Sequence, residues 1–304
     1  MANPASQTAV GPMVIVAVEQ YCSAEQLLVQ DDLAYHFLPA GVQFLVRLAR
    51  WRPARSLLMN LTEKTGQGIW GSVLCRKRYI DDMLRASSRE IDAVVILGAG
   101  LDTRVYRMAE LATIPVFEVD LPENIAYKRK KLQRLGGRVS NAVKLVPIDF
   151  ERQSVEAVLN EHGYRAGQRT FFVWEAVTQY LTEPAVRKTF DFLVQAAAGS
   201  RLVFTYIRQD FLDGINLYGA ENIHQRFRVK QQVWRFGMAP EQVSAFLEAY
   251  GWQEREQMGG EEFHRRYVGP SGREMPVSEV ERSVYATFVG DGAGGGARRV
   301  ARGP

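Results

Sequence analysis

Two glycines and one acid give this chain its first chemical reading. Gly98 and Gly100 flank Ala99 after an apolar run, Val94-Val95-Ile96-Leu97, and Asp120 closes a second strand-like run, Val116-Phe117-Glu118-Val119. Glycine carries no Cβ, so the backbone can turn tightly here and let a ligand approach closely. Asp120 lies 22 positions after Gly98, near the ~20 expected of a carboxylate that receives ribose hydroxyls at the end of a second parallel strand. Strand, glycine loop, helix, strand and acid, in that order, hold a nucleoside. Glu118 shares the strand face of Asp120 and is the alternative ribose acceptor.

The loop narrows the ligand. A dinucleotide fingerprint places a third glycine where a helix N-terminus meets a pyrophosphate. Here Leu101, Asp102, Thr103 and Arg104 follow Gly100. A carboxylate at that helix start repels a pyrophosphate and suits a cationic or zwitterionic ligand. S-adenosylmethionine, with a sulfonium, an ammonium and no phosphate, is such a ligand. Asp102 and Thr103 are also helix-capping residue types, and on sequence alone both readings stand.

The elements that position these residues alternate. Strand-like runs at 93–97, 115–119, 143–148, 169–174 and 201–207 are separated by helical stretches at 102–111, 122–135, 151–161 and 183–198. This predicts an α/β fold with parallel strands and right-handed crossovers. A helix at 240–250 and two later strands, 252–258 and 282–289, complete a Rossmann-like, mostly parallel seven-stranded sheet of the class I methyltransferase kind, with helices on both faces. Ahead of it, residues 1–90 read as a helical cap: a flexible leader at 1–13, then helices broken near Pro39 and Pro53 and at Gly66, Gly68 and Gly71. Residues 91–290 form the cofactor-binding domain, and 291–304, rich in glycine and arginine, a disordered tail.

Composition excludes several classes. With 46% hydrophobic and 24% charged residues the chain is an ordinary globular protein. Its net charge of +4 is too small to point to nucleic acid. No apolar run reaches the ~18 residues of a membrane span, so no membrane insertion is expected. Two cysteines, Cys22 and Cys75, and four scattered histidines argue for a reducing, cytoplasmic setting with no disulfide framework and no metal.

Several motifs together resemble one family, the bacterial S-adenosylmethionine-dependent O-methyltransferases related to leucine carboxyl methyltransferase. They are Arg76-Lys77-Arg78 with Asp81-Asp82; Gly98 to Arg104; Phe117-Glu118-Val119-Asp120-Leu121-Pro122; Pro147-Ile148-Asp149; Trp174-Glu175-Ala176-Val177 with Tyr180-Leu181; Phe204-Thr205-Tyr206; and Trp234-Arg235-Phe236-Gly237. The chain departs from the pattern at Lys77, where threonine is usual, at Phe150-Glu151, and at Ala176, where glycine is common. The resemblance implies that Arg76 pairs with the cofactor carboxylate. The residues from Gly98 through Ala99 to Gly100 would then underlie the methionine part, with Asp102 and Thr103 beside it. Asp120 and Leu121 would meet the ribose; Asp149 would accept from the adenine amino group, between Ile148 and Phe150. Glu175 and Ala176 would close the site at the end of the fourth strand.

Methyl transfer needs alignment and exclusion of water more than it needs a base. A carboxylate acceptor is already ionised at neutral pH. A hydroxyl acceptor would make a base useful, and Tyr206 or His224 would serve, with Tyr180 lining the acceptor cavity. That cavity is expected from the N-terminal helices and segment 207–237, whose arginines suit an acidic or phenolic small molecule. The rivals are a nicotinamide-dependent oxidoreductase, suggested by Tyr127 and Lys131 at Y-x-x-x-K spacing, and methylation of RNA or protein.

Overall fold

The apolar run before the glycine loop lies at the centre of the sheet. In the computed structural model, which describes residues 9–135 and 142–290, β1 (Ala93–Leu97) is buried along its whole length. It pairs in parallel with β2 (Val116–Asp120) and with β4 (Thr170–Trp174). Outside these run β3 (Val143–Pro147) against β2 and β5 (Arg201–Arg208) against β4, both parallel. β7 (Trp252–Met258) and β8 (Glu281–Phe288) form an antiparallel pair that joins β5 through β8. The order is β3-β2-β1-β4-β5-β8-β7, and the strand order reverses between β1 and β4. Ligands of open α/β sheets bind at such a reversal, beyond the carboxyl ends of the strands. One strand exceeds the expected seven: β6 (Gly237–Met238) pairs with Ile207 and Arg208.

Side chains alternate across each strand and so build two cores. Val94, Ile96, Phe171, Val173 and Val203 face one. Ala93, Val95, Leu97, Phe172, Trp174, Leu202 and Phe204 face the other. The cap consists of α1 (Val10–Glu19), α2 (Ala34–Phe37), α3 (Ala40–Leu48), α4 (Arg52–Thr65) and α5 (Ile69–Ser87), and it covers the first face mainly through α1 and α5. The flexible leader expected over 1–13 is therefore corrected in part: Val10 onward is helix, and Met13 is buried. Residues 1–8 and the tail 291–304 lie outside the described residues.

The expected break near Pro53 is present, between α3 and α4, with Pro53 itself in the first turn of α4, where a missing N–H costs nothing. The break expected at Gly71 is corrected. Gly71 lies inside α5, and a Cβ there would come 2.3 Å from the Pro276 carbonyl oxygen; the glycine permits close approach rather than a turn.

Past β1, the stretch read as one helix over 102–111 is α6 (Arg104–Arg107) followed by a 3-10 turn, Ala109–Leu111. Then come α7 (Pro122–Arg134), α8 (Val155–Glu161), α9 (Glu183–Leu193), α10 (Gln209–Leu212), α11 (Glu221–Ile223), α12 (Val243–Glu248) and α13 (Gly260–Phe263). α8, α9 and α12 cover the second core. α10 and Ala220 enclose a small third cluster around Phe211 and Trp234.

Candidate functional site

The glycine loop and Asp120 meet as their spacing predicts. Gly98 has φ 76° and Gly100 φ 45°, the left-handed region that glycine enters without penalty. Gly98 N and Ala99 N both donate to the Val119 carbonyl, at 2.7 and 2.9 Å, which folds the loop back onto β2. A Cβ on Gly98 would lie 2.2 Å from Val177 Cγ2. The Asp120 carboxylate accepts from Gly100 N at 2.5 Å, Leu121 N at 2.6 Å and Asn124 Nδ2 at 2.7 Å. Burial pushes its carboxyl up, against the pull of these donors. An ionised carboxylate has about four acceptor positions, and these three donors leave one. The start of α1 reaches this loop, because Ala9 Cβ lies 3.4 Å from where a Gly100 Cβ would stand.

Glu118 is not the alternative acceptor. It is fully buried and bound to Lys128 Nζ and to the Tyr106 hydroxyl, each at 2.7 Å. The strand parity argument was right about the shared face, but that face is closed at Glu118 and open only at the strand end.

Beside the loop lies a buried network of ionised groups. Glu175, just beyond β4, accepts from Arg76 Nε at 2.9 Å and Arg104 Nη1 at 2.8 Å, with Lys77 Nζ at 3.5 Å. Arg104 also donates to Asp81 at 2.7 Å and to Asp102. Arg107 joins Asp81 at 2.7 Å and Asp31 at 3.6 Å, and the Thr103 hydroxyl donates to Asp31. Arg76 reaches onward to Glu281 at the start of β8. The linked set contains four cations (Arg76, Lys77, Arg104, Arg107) and five carboxylates (Asp31, Asp81, Asp102, Glu175, Glu281).

Burial would raise the carboxyls, and the cations outweigh it at two of them. Glu175 is held well below the usual range by Lys77, Arg104 and Arg76. Asp102 is held down by Arg104, Lys77 and Lys128. At Asp31 burial wins over Arg107 and the carboxyl is raised. Glu281 Oε1 and Arg104 Nη2 are buried with no hydrogen-bond partner.

The predicted residues fall into three groups. Gly98, Ala99, Gly100, Asp102, Thr103, Asp120, Arg76, Glu175 and Ala176 belong to the loop or the network around it. Neither Asp102 nor Thr103 caps α6 through its side chain: Thr103 stands at the N-cap with its hydroxyl given to Asp31, and Asp102, one residue earlier, accepts from Arg104 N at 2.8 Å. Ala176 takes φ 56°, so an alanine occupies a left-handed position, and its N–H donates to Thr205 Oγ1 at 2.7 Å.

On the β3 side, Pro147 is the register partner of Asp120. Asp149, two residues on, is partly exposed and accepts from Glu151 N at 3.0 Å. Ile148 and Phe150 pack into the second core.

Of the three residues assigned to the acceptor side, Tyr180 and His224 meet at the third cluster and Tyr206 stands apart. Tyr206 is fully buried in the second core and donates to Gln257 Oε1 at 2.8 Å, so it does not line the expected cavity. Its neighbour Ile207 faces the third cluster instead, with Tyr180 packed against the same cluster. His224 sits edge-on to Phe211, 5.4 Å between ring centroids.

Tyr127 and Lys131 bind the cap: the Tyr127 hydroxyl donates to the Phe37 carbonyl at 3.1 Å and Lys131 Nζ to the Leu38 carbonyl. Their dehydrogenase-like spacing is a structural clamp. Arg104, Asp81, Asp31, Arg107 and Glu281 were not singled out by role. The one sequence signal was an Arg-Lys pair and an acid, Arg76-Lys77 and Asp81, embedded among apolar residues of α5.

A family model for leucine carboxyl methyltransferase matches residues 9–194. A Mycobacterium avium (strain 104) protein, provisionally named an S-adenosyl-L-methionine-dependent methyltransferase, is 31% identical over 196 residues, 64% of each chain. A protein of the same provisional name from Mycolicibacterium gilvum is 31% identical over 183 residues, 59% of each chain. The chain thus matches about three fifths of the length of these two relatives. A further M. avium relative is 26% identical over 262 residues, 83% of each. Among solved structures, a DUF574 family protein from Streptomyces avermitilis superposes with TM-score 0.57 at 12% identity, over 78% of this chain and 91% of that one. A provisionally named methyltransferase from Thermobifida fusca gives TM-score 0.57 at 14% identity, over 79% and 90%.

Proposed function

From a chain that belongs to the leucine carboxyl methyltransferase family, whose relatives here are named as S-adenosylmethionine-dependent methyltransferases, we propose an enzyme that methylates a carboxylate or hydroxyl of a small acidic or phenolic molecule. The observation that carries this reading is the meeting of Asp120 with the glycine loop beside a buried network holding one more carboxylate than cation.

The residues fit the cofactor chemically. Asp120 keeps one acceptor position beyond its three donors. Gly100 carries no side chain beside the Asp120 carboxylate, whose Oδ2 lies 3.9 Å from where a Gly100 Cβ would stand. Glu281 Oε1, buried and unpartnered, suits an ammonium. S-adenosylmethionine carries two positive charges and one negative, so its net charge matches the surplus carboxylate of the network. When bound, it supplies an electrophilic methyl group on a sulfonium. Asp120 would hold the ribose, Asp149 the adenine edge, and Glu175 with Asp102 the cationic end.

The chain's own contribution is alignment and dryness. Ala9, at the start of α1, lies against Gly100 of the loop, and against burial the cations of the network hold the Glu175 and Asp102 carboxyls low. A carboxylate acceptor arrives ionised and needs no base. That preference is supported by the burial of Tyr206 away from the crevice and by the placement of His224 against Phe211.

The test is calorimetric titration with S-adenosylmethionine and, separately, NAD and NADP, with Asp120→Ala as control. Micromolar binding of S-adenosylmethionine, lost in the variant, supports the reading; dinucleotide binding refutes it. Transfer of labelled methyl to a panel of carboxylic acids and phenols follows. Label released by mild base marks a methyl ester, and base-stable label marks an ether.

A further inference from the structure

Ten large hydrophobic side chains are exposed among the described residues, and six of them fall between residues 44 and 61: Phe44, Leu45, Leu48, Trp51, Leu57 and Leu61. Trp51 is 69% and Phe44 62% exposed. They lie on α3, on α4 and at the joint between them. Phe44, Leu45 and Leu48 are spaced i, i+1, i+4, and Leu57 and Leu61 i, i+4, so each group shares a helix face. Only Val46 of α3 is buried, and no residue of α4 is. A soluble surface scatters such residues singly; concentration on two consecutive helices marks a contact surface.

The charge of the two helices selects the partner. Residues 39–65 contain Arg47, Arg50, Arg52, Arg55 and Lys64 against one acid, Glu63. Glu63 is engaged, accepting from Gly68 N at 2.6 Å at the start of α5. Arg47, Arg50, Arg52 and Lys64 are exposed. Aromatic and leucine side chains sharing a face within each helix, with exposed arginines between them in sequence and an exposed lysine just after, form the pattern of helices that lie in the lipid headgroup region. A two-fold contact with a second copy would set these unbalanced cations against one another. The segments outside the described residues hold few apolar side chains, and the last of them is itself basic, so none of them complements the patch.

We infer that the α3–α4 segment docks on an anionic lipid surface, peripherally and without spanning it. No helix among the described residues is long and apolar enough to cross a membrane. This inference stands apart from the methyl-transfer reading and would survive its failure.

The test is co-sedimentation of the full chain with vesicles of phosphatidylglycerol and phosphatidylcholine, and with phosphatidylcholine alone. Binding is expected on the anionic vesicles, weakened by salt and by about fivefold for each neutralisation among Arg47→Gln, Arg50→Gln and Arg52→Gln. Trp51→Ala with Leu48→Ala should lower it further, and brominated lipid should quench wild-type fluorescence more than that of Trp51→Phe. All these positions are exposed, and circular dichroism checks that each variant folds. Absence of binding to anionic vesicles overturns the inference. So does binding unchanged by the variants, or a dimer in light scattering that the Trp51 and Leu48 substitutions abolish.

Discussion

Replacing Glu175 with glutamine tests the buried network at its most heavily loaded point. The native carboxylate takes hydrogen bonds from Arg76 and Arg104 at 2.9 and 2.8 Å, with Lys77 at 3.5 Å, and its side chain is only 9% exposed. Glutamine keeps the volume and one acceptor oxygen, but turns an NH2 group toward a cation. Removing one partner of a buried ion pair costs about 3–5 kcal/mol, because the charges left behind are desolvated and unpaired. In a chain of this size that is a fall in melting temperature of roughly 5–8 °C. The dependence on pH is the sharper readout. Burial would raise this carboxyl, but Lys77, Arg104 and Arg76 hold it well below the ordinary value of 4.5. A carboxyl depressed in the fold gives stability that is present above its unfolded value and lost as pH falls through its folded value. Chemical denaturation from pH 7 down to 3 should show a wild-type advantage that is level above about pH 5 and shrinks below 4.5. A Glu175→Asp variant, which keeps the charge, should retain that slope. An advantage below ~1 kcal/mol, the size of an exposed pair, or one that stays level into acid, would refute the picture of Glu175 as the ionised hub of the network.

Asp120→Asn should weaken S-adenosylmethionine by about 10–100-fold in calorimetry, the loss of one charge-assisted contact. It should leave melting within a few degrees, since burial already disfavours the charge there. Gly98→Ala forces φ 76° on a residue with a Cβ that meets Val177 Cγ2 at 2.2 Å. A loss of about 2–5 kcal/mol is expected, partly recovered by adding Val177→Ala, and urea denaturation of both variants checks it. Ala176→Gly relieves an alanine at φ 56°, worth ~1–2 kcal/mol less the ~0.4–1 kcal/mol of added freedom in the unfolded chain, so urea midpoints should stay equal or rise slightly. Tyr206→Phe removes only the hydrogen bond to Gln257; stability should fall by about 1 kcal/mol with cofactor binding and methyl transfer intact, whereas selective loss of transfer would restore Tyr206 as a base.

What could be read in advance follows from the range of the interaction. β1 and β4 announce themselves because parallel central strands, covered on both faces, are continuous apolar runs. Asp120 is legible because loop and acid belong to one strand-helix-strand unit. Tyr206 was misplaced for the same reason that β5 was easy to find: both of its faces are buried from Leu202 to Ile207, so no alternation tells which face Tyr206 takes. β6 has two residues and exists only because the end of β5 offers it an edge. The network was hidden by distance along the chain. Arg76 and Glu175 stand 99 residues apart, and Arg76 and Glu281 stand 205 apart; neither sequence neighbourhood announces the other. Yet the network explains why the resemblance at Arg76, Asp102 and Glu175 holds together. Buried ion pairs seldom stabilise a fold better than apolar residues of the same size, so packing alone gives no reason to gather nine ionisable groups beneath one loop. Placed where a parallel sheet receives its ligand, they have under the proposed function a reason that packing lacks: against burial, Lys77 and Arg104, with Arg76 at Glu175, hold the Glu175 and Asp102 carboxyls low beside the crevice, where a cationic ligand would meet them.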